Sequence, residues 1–117
     1  MELKIGYGEP LYTVRLGKHK YKIGEELEVI LQALMKDEGL LVSRIKLQKR
    51  SQTELLNEIS TNNNISTRTL KRYIKKLESY DIIRSRLDRN SSGKIKILYI
   101  NKKAEIDSPT VDTRHFI

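Results

Sequence analysis

The stretch SQTELLNEISTNNNISTRTLKRYIKKLESYDII, residues 51–83, decides how the fold is read. Ser51 and Glu54 match a capping box, in which the serine oxygen accepts the amide three residues on and the glutamate reaches back. Leu55, Leu56 and Ile59 then supply the apolar face of a short helix. Ser60–Ile65 is rich in asparagine, which tolerates left-handed backbone angles, and it reads as a turn. Ser66 caps a second helix over about residues 67–80. At about 100° per residue, Leu70, Tyr73, Ile74 and Leu77 fall on one face of that helix. Arg68, Lys71, Arg72 and Lys75 fall on the other, with Lys76 at the margin and no acidic residue before Glu78. A surface helix stabilised for its own sake mixes signs at i, i+4. This one repels itself, and a bound polyanion would relieve the repulsion.

A β-hairpin is expected next, with strands over 82–87 and 94–100 and a loop over 88–93. Ile95, Ile97 and Tyr99 alternate as a half-buried strand should. Arg84 and Arg86 share one face of the first strand, Lys94 and Lys96 share one face of the second, and Arg89 and Asn90 sit near the tip. The expected ribbon has an apolar back and a basic front and tip, suited to lie along a nucleic-acid groove or backbone.

Upstream, Gly6, Gly8 and Pro10 punctuate against regular structure. Tyr12, Val14 and Leu16 alternate ahead of Gly17, which predicts a hairpin over about 11–23. Leu27, Ile30, Leu31 and Leu34 keep helical spacing, with three glutamates in the first turn, Lys36 near the end and Gly39 beyond it. That is a helix over about 25–36. Residues 40–50 favour a short strand ending at Lys49-Arg50. Residues 101–117 are polar, with Pro109, and are expected to be extended or partly disordered.

The run from Ser51-Gln-Thr-Glu-Leu-Leu through Ile65-Ser-Thr-Arg to Leu77-Glu-Ser-Tyr-Asp-Ile-Ile83 resembles that of winged-helix regulators, and the resemblance spans about residues 25–100. It implies an α+β fold: a winged helix-turn-helix with a three-helix core and C-terminal β-wing, preceded by an N-terminal β-hairpin. The corresponding division is an N-terminal extension over 1–24, the winged helix-turn-helix domain over 25–100 and a polar tail over 101–117. By carry-over, Thr67, Arg68, Lys71 and Arg72 face the DNA groove, and Arg86, Arg89, Asn90 and Lys94 are wing contacts. Two departures stand out. The turn at Ser60–Ile65 is two or three residues longer than usual, and Asp81 stands where glycine is common. The resemblance also implies a homodimer, with the hairpin 11–23 and the first helix as candidate contacts.

In such an arrangement the second helix of the pair enters the major groove. Arg68 and Arg72 each present a planar fork suited to guanine O6 and N7. Thr67 and Thr69 add hydroxyl or methyl contacts. Ser66, Lys71 and Lys75 complete the helix's set, and Arg84 and Lys96 complete the hairpin's.

Charge distribution agrees with this reading. Of the net +8, residues 1–40 carry 6 Lys/Arg and 7 Asp/Glu, whereas residues 41–100 carry 14 and 5. All the excess positive charge lies in the block that would meet a polyanion. The chain has no cysteine, so disulfides and thiolate metal sites are excluded. It has no signal-peptide layout, which points to the cytoplasm. His19 and His115 lack paired acids at metal-ligand spacing, and Gly6-Tyr7-Gly8 is only a fragment of a nucleotide fingerprint. No enzyme, cofactor or membrane association is expected. The expected partner is double-stranded DNA, and the favoured role is transcriptional repression. Plasmid or phage partition, or a replication adaptor acting with a partner protein, shares the anatomy. RNA binding and a pure protein-interaction role are further alternatives.

Overall fold

The computed structural model describes residues 2–37, 45–90 and 93–107. The chain opens with β1 (Glu2–Ile5), then the hairpin of β2 (Tyr12–Leu16) and β3 (His19–Ile23). The two-residue turn works because Gly17 adopts φ +61°, where a side chain would be strained. Helix α1 (Glu25–Ala33) follows, then β4 (Met35–Asp37), which pairs antiparallel with β5 (Ile45–Leu47). After β6 (Arg50–Ser51) come α2 (Gln52–Asn63) and α3 (Thr67–Ser79). The chain continues through β7 (Ile83–Asn90), β8 (Gly93–Ile100) and β9 (Glu105–Asp107).

Among the described residues these strands form a four-stranded sheet in the order β1-β3-β2-β9, the β4-β5 pair, and a three-stranded sheet in the order β6-β8-β7. β1 runs parallel to β3, with Leu3 beside Tyr21, and β9 runs antiparallel to β2, with Ile106 opposite Val14. One core joins the sheets to the helices. Val14, Ile23 and Ile106 from the first sheet, Leu27, Ile30 and Leu31 from α1, and Leu55 from α2 belong to the same buried cluster as Leu70, Ile74 and Leu77 from α3 and Leu98 and Ile100 from β8.

This architecture corrects the sequence expectation. The class is α+β and three helices are present, but strands both precede and follow them, and the topology is not that of a winged helix-turn-helix. The 11–23 hairpin is not an appended element. It forms the middle of a four-stranded sheet whose other members are β1, from a segment read as punctuated against regular structure, and β9, from a segment expected to be extended or partly disordered. The reason is non-local pairing. Ile5 and Ile106 each bury an apolar side chain by adding a strand to an edge of the hairpin, a gain that no window of local sequence reports. Similarly, α1 stops at Ala33 rather than about residue 36, because Met35–Asp37 pairs with Ile45–Leu47. Part of the expected strand over 40–50, residues 40–44, lies outside the described residues. Between α2 and α3 only Asn64, Ile65 and Ser66 remain, with Asn64 left-handed at φ 54°. The turn is therefore short, not extended, because α2 continues through Ser60–Asn63. No helix among the described residues is long and apolar enough to cross a membrane.

The first turn of α1 carries one buried acid. Glu28 is 7% exposed, and its Oε1 accepts the Leu11 amide at 2.9 Å, fastening the loop before β2 to the helix. Burial raises its pKa above the ordinary carboxylate value, with the Leu11 amide opposing that shift and Glu25 adding to it. The folded state therefore holds this proton more tightly than the unfolded chain. Its contribution to stability is full below the ordinary carboxylate pKa and falls as pH rises through the raised value. Glu28→Gln retains the accepting oxygen without the charge. We expect it to melt above wild type at neutral pH and to converge with it below about pH 4. A lower melting temperature at neutral pH would show that the carboxylate charge supports the fold.

Candidate nucleic-acid interface

The local chemistry of residues 51–79 sets the geometry. Ser51 Oγ accepts the Glu54 amide at 3.4 Å and starts α2, although the return bond from Glu54 is not formed among the described residues. Ser66 Oγ accepts the Thr69 amide at 3.2 Å and donates to Thr69 Oγ1 at 2.9 Å. Both hydroxyls thus hold the first turn of α3 in place. Leu70, Ile74 and Leu77 bury one face of that helix, and Tyr73 packs at its edge. The phase this imposes leaves Thr67, Arg68, Lys71, Arg72, Lys75 and Lys76 exposed. None of these five cations has an ion-pair partner among the described residues, whereas Arg15, Lys20, Lys22, Arg50, Arg84, Arg86 and Lys96 elsewhere are each paired with an acid.

The β7-β8 hairpin divides the remaining candidates between two faces. Directly opposed residues share a face. Ile83 opposes Ile100, Ser85 opposes Leu98, Leu87 opposes Lys96 and Arg89 opposes Lys94. Ile83, Leu98 and Ile100 are buried against the helices, and Lys96 Nζ reaches Glu78 of α3 at 3.0 Å. Arg89 and Lys94 therefore lie near the tip on the helix-facing side, both exposed. Arg84 and Arg86 lie on the other side, opposite Tyr99 and Ile97. Each is held there by an acid: Arg84 bonds Asp81 with two nitrogens at 2.9 Å, and Arg86 contacts Asp88 at 3.2 Å. The hairpin thus lacks an apolar back and a basic front. Its strands extend to Asn90 and from Gly93, so Arg89 belongs to a strand and not to a loop. The side chain of Asn90 lies outside the described residues.

One feature of the interface escaped the sequence reading. Gln52, Thr53, Leu56 and Asn57 of α2 line a cleft of about 220 Å3 together with Thr67 and Lys71 of α3. The first turns of two helices and a lysine converge there, a place where free amides and the helix dipoles favour an anion. The cap at Ser51 marks where α2 begins, but the sequence does not show that this end meets the start of α3.

The end of α3 is also fixed. Asp81 is left-handed at φ 62°, and the amides of Asp81 and Ile82 donate to the carbonyls of Glu78 and Leu77 at 3.0 and 3.1 Å. This is the Schellman arrangement in which glycine is favoured. Asp81 is held in this conformation by its carboxylate, which accepts from both Arg84 and Asn101. The Arg84 hydrogen bond holds its pKa below the ordinary aspartate value. Asn101, 1% exposed, also donates to the Asp81 carbonyl at 3.0 Å.

Comparison with protein families, curated proteins and solved structures gives no match. Among the described residues no group of three or more His, Asp or Glu residues is placed to hold a metal ion.

The uncompensated charge on α3 has a consequence for stability that is independent of any ligand. Arg72→Glu puts a carboxylate one turn from Arg68, Lys75 and Lys76. Each such pair is worth roughly 0.2–0.5 kcal/mol in a helix. We expect the variant to be more stable than wild type in low-salt urea melts, with the difference fading in high salt. A loss of stability would mean that Arg72 supports the fold.

Proposed function

We propose that this protein binds double-stranded DNA in a sequence-specific manner, with α3 in the major groove and the hairpin tip on the flanking backbone. The observation that carries this reading is the exposed face of α3, which holds five cations with no acidic partner, on the side of the sheet toward which Arg89 and Lys94 project. Arg68 and Arg72 are one helical turn apart and are the base-reading candidates, since a guanidinium fork matches guanine O6 and N7. Lys71, Lys75 and Lys76 neutralise phosphates. A backbone phosphate at the cleft between Gln52, Thr67 and Lys71 would meet the first amides of two helices. Arg89 and Lys94 add sequence-independent contacts. Arg84 and Arg86 are omitted from the interface because their partners are Asp81 and Asp88.

A protein seated in the major groove excludes others from the same site, and we assign the chain the role of a cytoplasmic transcriptional repressor. Glu78 tunes the interface by holding Lys96 away from phosphate.

Fluorescence anisotropy with labelled duplexes across a salt series tests this reading. The double change Arg68→Ala, Arg72→Ala should weaken binding by about 1–3 kcal/mol per arginine and blur base preference. The double change Arg89→Ala, Lys94→Ala should weaken all duplexes alike and reduce the salt slope by about two. Absence of duplex binding even at low salt would overturn the proposal.

A further inference from the structure

We propose that copies of this chain associate head to tail, with Tyr7 of one copy seated in a groove at the far end of the β2-β3 hairpin of the next. Tyr7 is 79% exposed, yet its backbone is tightly held. It stands between Gly6 and Gly8, at φ +86° and +82°, where side chains are strained. Its amide donates to Glu26 Oε1 at 3.0 Å. Its carbonyl oxygen lies so close to Gly24 that a Cβ there would come within 2.2 Å of it. Three glycines and a carboxylate therefore fix the backbone beneath a ring that adds little to the core. A large aromatic side chain on a rigid support loses little freedom on docking, which is the property of an interface anchor.

The groove has the complementary shape. It encloses about 460 Å3, with Leu16, His19, Tyr21 and Tyr80 among its lining residues and Arg84 and Lys103 beside them. Tyr21 packs against His19 at 6.0 Å and Tyr80 at 5.4 Å between ring centroids, leaving an aromatic surface for a further ring. The exposed carboxylate of Asp81, also in the lining, can accept from a phenolic hydroxyl.

Charge selects the occupant. The Tyr7 end is acidic: Glu25 lies against Gly8, Glu26 lies against Gly6, and Glu9 is exposed next to them. At the groove end Asp81 neutralises Arg84, which leaves Lys103 in the lining and Lys18 exposed at the adjacent turn as the uncompensated cations. A second copy thus brings a matching knob and matching charge. The two ends are separated by the length of a five-residue hairpin, about 15 Å, so the tyrosine does not fill its own chain's groove. A contact between two different patches is heterologous, and it propagates instead of closing as a two-fold dimer does.

Sedimentation velocity without DNA, from micromolar to sub-millimolar protein, tests this independently of the DNA-binding reading. Wild type should grow continuously past the dimer. Tyr7→Ala should weaken association more than about tenfold, as should the rim change His19→Glu, Lys103→Glu. All three residues are exposed, and circular dichroism should show both variants folded. Mixed one to one, the Tyr7→Ala chain supplies an open groove and the rim variant supplies the tyrosine, so the mixture should form two-chain complexes and stop. Growth of wild type that halts at a dimer, or association unchanged by Tyr7→Ala, would overturn the proposal. So would a wild-type chain that stays monomeric, and a shift of the groove resonances with free p-cresol would then assign the groove to a small phenolic ligand.

Discussion

A single buried amide side chain, that of Asn101, holds the basic helix in register with both larger sheets. Its Nδ2 donates to the Asp81 carbonyl, its Oδ1 accepts the Lys103 amide at 3.0 Å, and its backbone amide donates to the Ile82 carbonyl at 2.9 Å. Asp81 terminates α3, Ile82 leads into β7, and Lys103 leads into β9. The helix end, the hairpin and the strand that completes the N-terminal sheet therefore meet at one residue. Leaving such a group buried without partners costs about 1–3 kcal/mol, so the chain's path through this point is strongly determined. Because Leu77 and Ile82 are fully buried beside it, α3 has little room to rotate, and its exposed face is set by the fold.

The distribution of acids gives that face its character. Asp81 and Asp88 neutralise arginines on the outer side of the hairpin, Glu58 pairs with Arg50, and Glu105 and Asp107 hold Arg15. Exposed pairs of this kind each contribute little to stability. Their effect, among the described residues, is to remove seven cations elsewhere from the unneutralised set, while all five on the exposed face of α3 remain in it. Net charge alone is a weak argument for a polyanionic partner. Five adjacent cations on one helix face, none with an acidic partner among the described residues, are a stronger one.

Wherever one residue type acts on its near neighbours, the sequence was readable. Ser51 and Ser66 announce the starts of α2 and α3, Gly17 announces the hairpin turn, and the spacing of Leu70, Ile74 and Leu77 sets the phase of α3. Longer-range pairing was not readable. β1 exists because Ile5 finds a place beside Ile23, and β9 because Ile106 finds Val14. The hairpin faces were ambiguous for a different reason. β8 is apolar at Ile95, Ile97, Leu98, Tyr99 and Ile100, so alternation permits either parity. Packing chose Leu98 and Ile100 for the core and moved Arg84 and Arg86 to the opposite side. The winged-helix expectation failed at this same range, since the local run over 51–83 says nothing about a sheet assembled from both ends of the chain.

Arg84 shows how that shift alters the functional reading. By residue type and position it belongs with the cations of a nucleic-acid surface. Its two bonds to Asp81 instead make it part of the device that ends α3, and its remaining edge lines the groove beneath the β2-β3 turn. The unpaired cations of α3 and the groove thus share no side chain, although both are anchored at Asp81 and Asn101. Occupancy of the groove would press on the turn that fixes the end of α3 without competing for Arg68, Lys71, Arg72 or Lys75. The two proposed contacts, between chains and with DNA, would therefore not compete for side chains, and the Asp81–Asn101 junction is the element that lies between them.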